Sequence, residues 1–415
     1  MKDIVRPQRS AIPSKPQDIS LAFLITALLM GHTMASMALL VLPAVAPVVA
    51  REYDIDASLI GYLISLVSAG MLVTLTLLSN ITRRLGACRT NQMGHGSVGA
   101  GLALMMVPMP AFLAVGAVVL GFGYGLIGPS FSHLLMRFSP PKRRNFIFSL
   151  QQTGVPLGGV MAALIAPAVA IAFGWRWAIV LSVLLLGCII ALMQRGRARW
   201  DDDRNPKAAA LSINPLANFF MVWRSQPLRR LALAGGAFCW AQFCVGAYTV
   251  VACVQALEMS LIAAGAMLTL VQVASALGRV FAGWLADTLH DTARVLAWNA
   301  ALMLATCIAS IWMSPGWPLW AVYALFALHG MTSGSWAGAV LAEAGRLAPN
   351  GVVSAAVSGV MVYINIGKFI GPIVFANTYL LTQSYGWAFA SIGIPALAAW
   401  LYLKYKNINK NKFCS

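Results

Sequence analysis

Between Asp18 and Arg51, between Arg89 and Arg137, and between Arg144 and Arg176 the chain carries no Asp, Glu, Lys or Arg. Such uncharged apolar runs recur along the sequence, and each is long enough for the roughly 20 helical residues that cross the hydrocarbon core of a bilayer. Inside lipid every backbone N–H and C=O must be satisfied within the protein, which leaves helices as the natural solution for runs of this length. A soluble domain of similar size carries about 25% charged residues. Here 60% of residues are hydrophobic and 10% are charged, so the expected class is an all-α, polytopic membrane protein.

Twelve spans are predicted, at 19–47, 57–81, 91–110, 112–136, 146–172, 175–194, 228–253, 260–286, 292–313, 316–342, 351–379 and 384–403. An even number puts both termini on one face. That face collects Lys2, Arg6, Arg9, Lys15, the Arg83–Arg89 and Arg137–Arg144 clusters, the basic residues from Arg195 to Arg230, Arg294, Arg346 and the Lys404–Lys412 tail. These make 25 of the 29 basic residues, and the opposite face has only Arg51 and Arg176. By the positive-inside rule both termini are cytoplasmic, which in a bacterium means a multi-pass protein of the inner membrane. The amino end has no small-residue cleavage signal after its apolar run, so the first span is expected to be retained.

The formal charge of +17 is therefore a topology signal. No basic surface interleaved with aromatics accompanies it, and no nucleic-acid partner is expected. The seven cysteines sit mostly alone inside apolar runs and fit neither a zinc site nor a disulfide framework. No cofactor, metal, nucleophile–base pair or phosphate loop is expected, and so no enzyme.

The longest polar interval, from Arg195 to Arg230, divides the spans into six and six. The expected domains are an N-terminal six-helix bundle at 1–194, a cytoplasmic connector at 195–227, a C-terminal six-helix bundle at 228–403 and a cytoplasmic tail at 404–415. The Asp201-Asp202-Asp203 run and the Asn-Pro steps predict an exposed connector. Two matched halves around a central route are the mark of a transporter built by internal duplication.

The segment Gly278-Arg279-Val280-Phe281-Ala282-Gly283-Trp284-Leu285-Ala286-Asp287 closes the eighth predicted span. It resembles the Gly-Arg-x-x-x-Gly-x-x-x-Asp signature of the major facilitator superfamily. Small residues at Gly278, Ala282 and Ala286 allow close helix packing, and Asp287 at the boundary is placed to act in a gate. The first-half counterpart, Ser79-Asn80-Ile81-Thr82-Arg83-Arg84-Leu85-Gly86, keeps the basic position at Arg84 and the glycine at Gly86. It has Arg83 where the family has Asp, so the usual acidic gate partner is missing. Gly154, Pro156, Gly158 and Gly159 resemble the family's fifth-helix antiporter motif with the proline displaced by one position. The same run also fits a kinked, closely packed helix. Gly174-Trp175-Arg176-Trp177 is echoed by Tyr385-Gly386-Trp387 in the other half. The resemblance covers essentially the whole chain. It implies two bundles that rock about a site midway through the membrane.

All twelve acidic residues fall in tails, loops or helix ends, and none lies deep in a span. The resemblance implies that exporters of cationic drugs need an embedded carboxylate, so a cationic solute is disfavoured. Two bases lie inside spans, Arg279 and Lys368. Arg279 is eight residues before Asp287, about 12 Å up the helix. An intramembrane charge requires a partner, water or a function. Members of the superfamily that carry oxalate or monocarboxylates have bases on these two helices, and Arg279 and Lys368 look like matches. Together they could hold a carboxylate. A structural role in the Gly-Arg motif also fits Arg279, and snorkelling or a backbone contact also fits Lys368. His32 and His329, near mid-span, are candidates for a coupling proton or for an inter-helix hydrogen bond. Gln242, Gln272, Tyr363 and Asn365, with Tyr124, Gln151, Gln152, Trp240 and Trp336, are candidate walls. Gln272 and Arg279 are seven residues apart and share a helix face, and Asn365 lies one turn before Lys368.

The expected function is secondary active transport of a small organic anion, a mono- or dicarboxylate or an aromatic acid. The expected mechanism is alternating access coupled to a proton or a counter-substrate, in a monomer. An exporter or exchanger of a neutral or amphipathic solute is the alternative among transporters. A non-transporting sensor or scaffold is the alternative outside them.

Overall fold

The computed structural model describes residues 20–78, 80–140, 144–209, 211, 216–348 and 353–412. The basic residues Lys2, Arg6, Arg9, Lys15, Lys142 and Arg143 lie outside the described residues, as do Ser79 and the side chains of Arg144 and Asp287. The gating reading of Asp287 therefore falls outside the described residues.

The described chain is helical throughout, with no strand. The principal helices are α1 (Leu21–Tyr53), α2 (Ile60–Leu77), α3 (Ala87–Met105), α4 (Pro110–Phe138), α5 (Gly154–Phe173), α6 (Trp175–Gln194), α7 (Gln226–Gln255), α8 (Leu261–Leu289), α9 (Thr292–Ala309), α10 (Leu319–Gly334), α11 (Val353–Thr382) and α12 (Gly393–Lys412, preceded by the short helix Tyr385–Ser391). Ten of these positions are long and apolar enough to cross a membrane on their own. The other two are α3, diluted by Arg89, Asn91, Gln92 and His95, and α10, which is short because it breaks. Side-chain caps set several starts: Ser20, Ser260, Asp291 and Ser384 accept from the N–H three residues on.

The two halves repeat one pairing pattern. In the first, α1 packs on α5, α2 on α4 and α3 on α6; in the second, α7 packs on α11, α8 on α10 and α9 on α12. Across the halves, α2 meets α11, α5 meets α8 and α1 meets α7. The apolar stretches of α1 and α7 are 94% and 78% buried, against 33% for α6, which puts the first helix of each half at the centre and α6 outside. Glycines let the backbones close up. A side chain at Gly121 would strike the Val67 carbonyl of α2, and one at Gly367 would strike the Gly236 carbonyl of α7.

Three predicted spans are interrupted. The span predicted at 146–172 is two helices, Arg144–Gln152 and α5, hinged at Thr153. Pro156 has no N–H to offer the Gln152 carbonyl four residues back, so the ladder opens there. The span predicted at 316–342 breaks at Ser335-Trp336 into α10 and Ala337–Leu347. The twelfth has a one-residue interruption at Ile392.

Asp202 to Lys207 are exposed, as expected of the connector, but its start is docked. Trp200 is 1% exposed and Asp201 is 6% exposed. Asp201 caps α3, its Oδ1 accepting from Cys88 N at 2.6 Å and its Oδ2 from Arg89 N at 3.0 Å. Gly86, at φ +97, leaves the space that Asp201 occupies. The loop that lacks an acid at Arg83 thus receives one from the connector. Burial, against the pull of these two N–H donors, holds the Asp201 carboxyl above its ordinary value of 3.8. Arg137 pairs with Asp202 and Asp203, and His133 lies 2.7 Å from Asp203. Later in the connector, Ala217–Arg224 lies on α11, where Gly359 admits the Asn218 carbonyl and Val222.

Candidate functional site

Lys368 sits midway along α11 and is 2% exposed. Its Nζ lies 3.2 Å from Met71 Sδ of α2, 4.0 Å from the Phe243 ring centre of α7 and 5.3 Å from the Tyr124 ring centre of α4. The ammonium therefore meets both halves: α2 and α4 of the first, α7 and α11 of the second. Its neighbours are a thioether and two ring faces, which offset burial by about 2 kcal/mol and leave the charge uncompensated. None of the ion pairs between described residues includes Lys368 or Arg279. Pro372 lies four residues beyond Lys368, so the Lys368 carbonyl also lacks its helical N–H. Across from α11, the Trp240 indole packs on Gly371, one turn from Lys368, and its Nε1 is buried without an acceptor among the described residues. An ammonium whose one acceptor is a thioether, and an indole N–H with none among the described residues, thus belong to facing turns of α7 and α11.

Arg279 has a different environment from the one its sequence suggests. Its Nε donates to Gly334 O at 2.9 Å and its Nη1 to Gln152 O at 3.2 Å. Both carbonyls stand at helix breaks, Gln152 where Pro156 opens the ladder and Gly334 where α10 ends. One guanidinium therefore bridges the broken fifth helix of the first half and the broken tenth of the second. Part of its donor set is engaged in holding the halves together, which is the structural role that the Gly-Arg motif also allowed. Gln272, on the same face of α8, packs against Gly159 of α5 so closely that a side chain at Gly159 would collide with its amide. Gly158 likewise admits the Thr33 carbonyl of α1, and Gly154 lies against His32. The Gly154–Gly159 run is thus the small-residue surface of a helix clasped between α1 and α8. On α8 itself, Gly278 admits the Met331 carbonyl of α10, while Gly283 has open space beside it.

His32 is buried beside this break. Its Nδ1 is 3.2 Å from Gln151 O, and its Nε2 is 3.4 Å from the Tyr124 hydroxyl, which lies 3.0 Å from Ser36 Oγ. A carbonyl has no proton, so Nδ1 donates to it and Nε2 of the neutral ring accepts from Tyr124. The chain from Gln151 to His32 to Tyr124 therefore ends under the Lys368 ammonium.

Four predicted residues lie elsewhere. His329 makes a 2.8 Å contact with Ser310 Oγ and stacks on Phe389 of Tyr385–Ser391, inside the second bundle. Tyr363 is turned to the connector, stacked 4.5 Å from Phe219 with its hydroxyl donating to Phe219 O. Asn365 donates to Met361 O of its own helix at 2.8 Å. Gln242 accepts from Trp336 Nε1 at 3.0 Å, bracing the break in α10. Sequence reading missed Met71, Phe243 and Ser36, since one methionine, phenylalanine or serine in an apolar span carries no distinguishing signal. Arg84 stays exposed on the short helix Ile81–Leu85, beside the connector.

On the face opposite the connector the halves are closed. Tyr248 of α7 has its hydroxyl 2.9 Å from Ser58 O and 3.0 Å from Pro372 O, and Tyr62 donates to Asn377 Oδ1 at 3.0 Å.

The profile of the Major Facilitator Superfamily matches residues 22–372. Over 150 residues the chain is 25% identical to the "Hexuronate transporter" of Bacillus subtilis (strain 168), covering 36% of this chain and 35% of that protein. Over 169 residues it is 27% identical to the "Synaptic vesicle 2-related protein" of Bos taurus, covering 40% of this chain and 31% of that protein. The chain thus aligns with about a third of the length of these curated relatives. Among solved structures, a bacterial homolog of the human lysosomal transporter Spinster, inward-facing and occupied, superposes with a TM-score of 0.69 at 13% identity, over 94% of this chain and 97% of that one. The same homolog, inward-facing and unoccupied, gives 0.68 at 15% identity, over 92% and 95%. With two halves that repeat one helix pairing and a profile that runs from α1 into α11, the chain belongs to the Major Facilitator Superfamily.

Proposed function

We propose that this transporter carries a small organic anion, a mono- or dicarboxylate or an aromatic acid, across a bacterial inner membrane by proton-coupled alternating access. The observation that carries the reading is the Lys368 ammonium, buried at mid-membrane where the halves meet and paired with no carboxylate among the described residues. An isolated charge at that depth costs several kcal/mol and is retained where it serves a solute path. An incoming carboxylate would neutralise it, and the Trp240 indole N–H supplies a second donor. The likeness to a hexuronate transporter is in keeping with an acidic solute, since a uronate is a carboxylate.

In this reading the connector face is cytoplasmic, and Tyr248 and Tyr62 close the other side. Residues 1–194 and 228–403 rock as two bodies tied by 195–227, with 404–415 as a tail, and Arg279 fastens the α5–α8 seam. Uptake of radiolabelled carboxylates, aromatic acids and uronates into proteoliposomes tests the reading. At least one acid should enter with the wild type, and entry should vanish in Lys368→Gln. Equal uptake by both proteins would rule it out.

A further inference from the structure

His95 of α3 is 0% exposed and takes no part in the site described above. Its Nδ1 lies 2.8 Å from the Asn91 carbonyl, one turn back on α3, and its Nε2 lies 3.0 Å from the Gly31 carbonyl of α1. The fit is close, because a Cβ placed on Gly31 would stand 3.0 Å from the same Nε2 and 3.3 Å from Ile189 of α6. Both neighbours of the ring nitrogens are carbonyl oxygens, which accept and never donate. A neutral imidazole has one N–H, so either tautomer would leave a nitrogen lone pair facing an oxygen lone pair across one of these contacts. Only the imidazolium carries two N–H groups and satisfies both carbonyls.

The charged groups around the ring are few. On α1 the residue after Gly31 is His32, whose Nδ1 donates to Gln151 O. On α3 the partner is a backbone carbonyl, and on α6 it is the aliphatic Ile189. No Asp, Glu, Lys or Arg of α1, α3, α4 or α6 makes a described contact with the ring. Two carbonyl dipoles are therefore the whole counter-charge, and a second proton on neighbouring His32 would place two cations side by side in a dry interior. One proton on the pair is the stable load, held by His95 while His32 stays neutral and keeps Nε2 as acceptor for Tyr124.

We propose that His95 is the binding site for the proton that this transporter couples to its solute. The proton forms an N–H bond at Nε2 and ties α3 to α1 through Gly31 O; when that contact opens, entering water takes the Nε2 proton and leaves a neutral ring with its N–H at Nδ1, toward Asn91 O. When it leaves, His32 is free to be protonated at Nε2; the Tyr124 hydroxyl then turns from His32 to Ser36, beneath the Lys368 ammonium. The coupling half of the proposal rests on the anion-carrier reading, whereas the proton site itself does not.

Two experiments separate these. Nitrogen-15 NMR of histidine-labelled protein reads the ring directly. The chain has five histidines, so His95 is assigned by subtracting the spectrum of His95→Gln or, if that variant does not fold, by elimination with the other four glutamine variants. Both ring nitrogens are expected to be protonated and hydrogen-bonded. A ring that stays neutral throughout the pH range of transport overturns the site, as does one whose carbons face the two carbonyls. In proteoliposomes, an inward proton gradient should drive the acid above its equilibrium level with the wild type, and His95→Gln should lose that accumulation. Unchanged accumulation in His95→Gln overturns the coupling role. If the wild type moves none of the acids, the carrier reading fails while the NMR result still decides the proton site.

Discussion

Replacing Lys368 by methionine should stabilise the solute-free protein and abolish its response to solute. Lysine at the centre of a membrane helix costs about 2.5–3.5 kcal/mol on insertion scales. The Phe243 ring at 4.0 Å returns about 2 kcal/mol for a desolvated cation, leaving a deficit near 1 kcal/mol. Methionine keeps the unbranched reach and the contacts with Met71 and the two rings, without the charge. At this chain length ~1 kcal/mol corresponds to a rise in unfolding temperature of about 1–2 °C. The assay is built into the fold, since Cys88, Cys239, Cys244, Cys253 and Cys307 are buried free thiols that a maleimide dye reaches only on unfolding; Cys188 is exposed and sets the baseline. A bound acid at a hundredfold excess over its Kd should stabilise the wild type by a further ~2.7 kcal/mol and the variant not at all. A variant that loses several degrees, or that still shifts with the acid, would show Lys368 to be a structural residue and would refute the reasoning.

Four other outcomes follow from the packing. Gly367→Ala drives a methyl group into the Gly236 carbonyl and should cost about 1–3 kcal/mol, read as a lower unfolding temperature and a poorer yield of folded protein. Arg279→Lys keeps the charge but cannot fork between Gly334 O and Gln152 O; a loss of about 1.5–3 kcal/mol in the same thermal assay is expected, and an unchanged midpoint would remove the bridge. Tyr248→Phe removes the hydroxyl that lies between Ser58 O of one half and Pro372 O of the other, and should raise the labelling rate of a cysteine placed at Ser58 by a thiol reagent applied to the face opposite the connector. Asp201→Ala strips the cap from Cys88 N and Arg89 N and should cost about 1–2 kcal/mol, whereas Asp201→Asn retains an acceptor and costs less. Because the folded protein holds the Asp201 proton more tightly than the unfolded chain does, this group's contribution is greatest below 3.8 and declines as pH rises through the raised value. Thermal midpoints of Asp201→Asn should lack that decline.

The membrane class, the twofold division and the two intramembrane bases were legible because each depends on composition at a given height along a helix. Lys368 and Arg279 stood out for the same reason, as charges in stretches that otherwise have none. Their environments were not legible. The sequence allowed Arg279 either a substrate or a structural role, and only the fold shows Pro156 and the end of α10 presenting it with two open carbonyls. Tyr363 and Asn365 share α11 with Lys368, yet one faces the connector and the other folds back on its own helix. His32 was placed at the right depth, but its link through Tyr124 to Lys368 depends on α4 lying beside α1 and α11.

The sequence by itself determined that the chain is a helical, multi-pass membrane protein and which two charges fall within its apolar runs. These are solvation matters, decided residue by residue by the transfer of side chains and backbone from water to lipid. Tertiary structure decided which of those charges is free. Depth along a helix comes from hydropathy, but the rotation of each helix and its neighbours come from side-chain packing and from where prolines and glycines open the backbone. Through those contacts Arg279 became a clasp between two broken helices, and Lys368 was left at the centre with no carboxylate partner among the described residues.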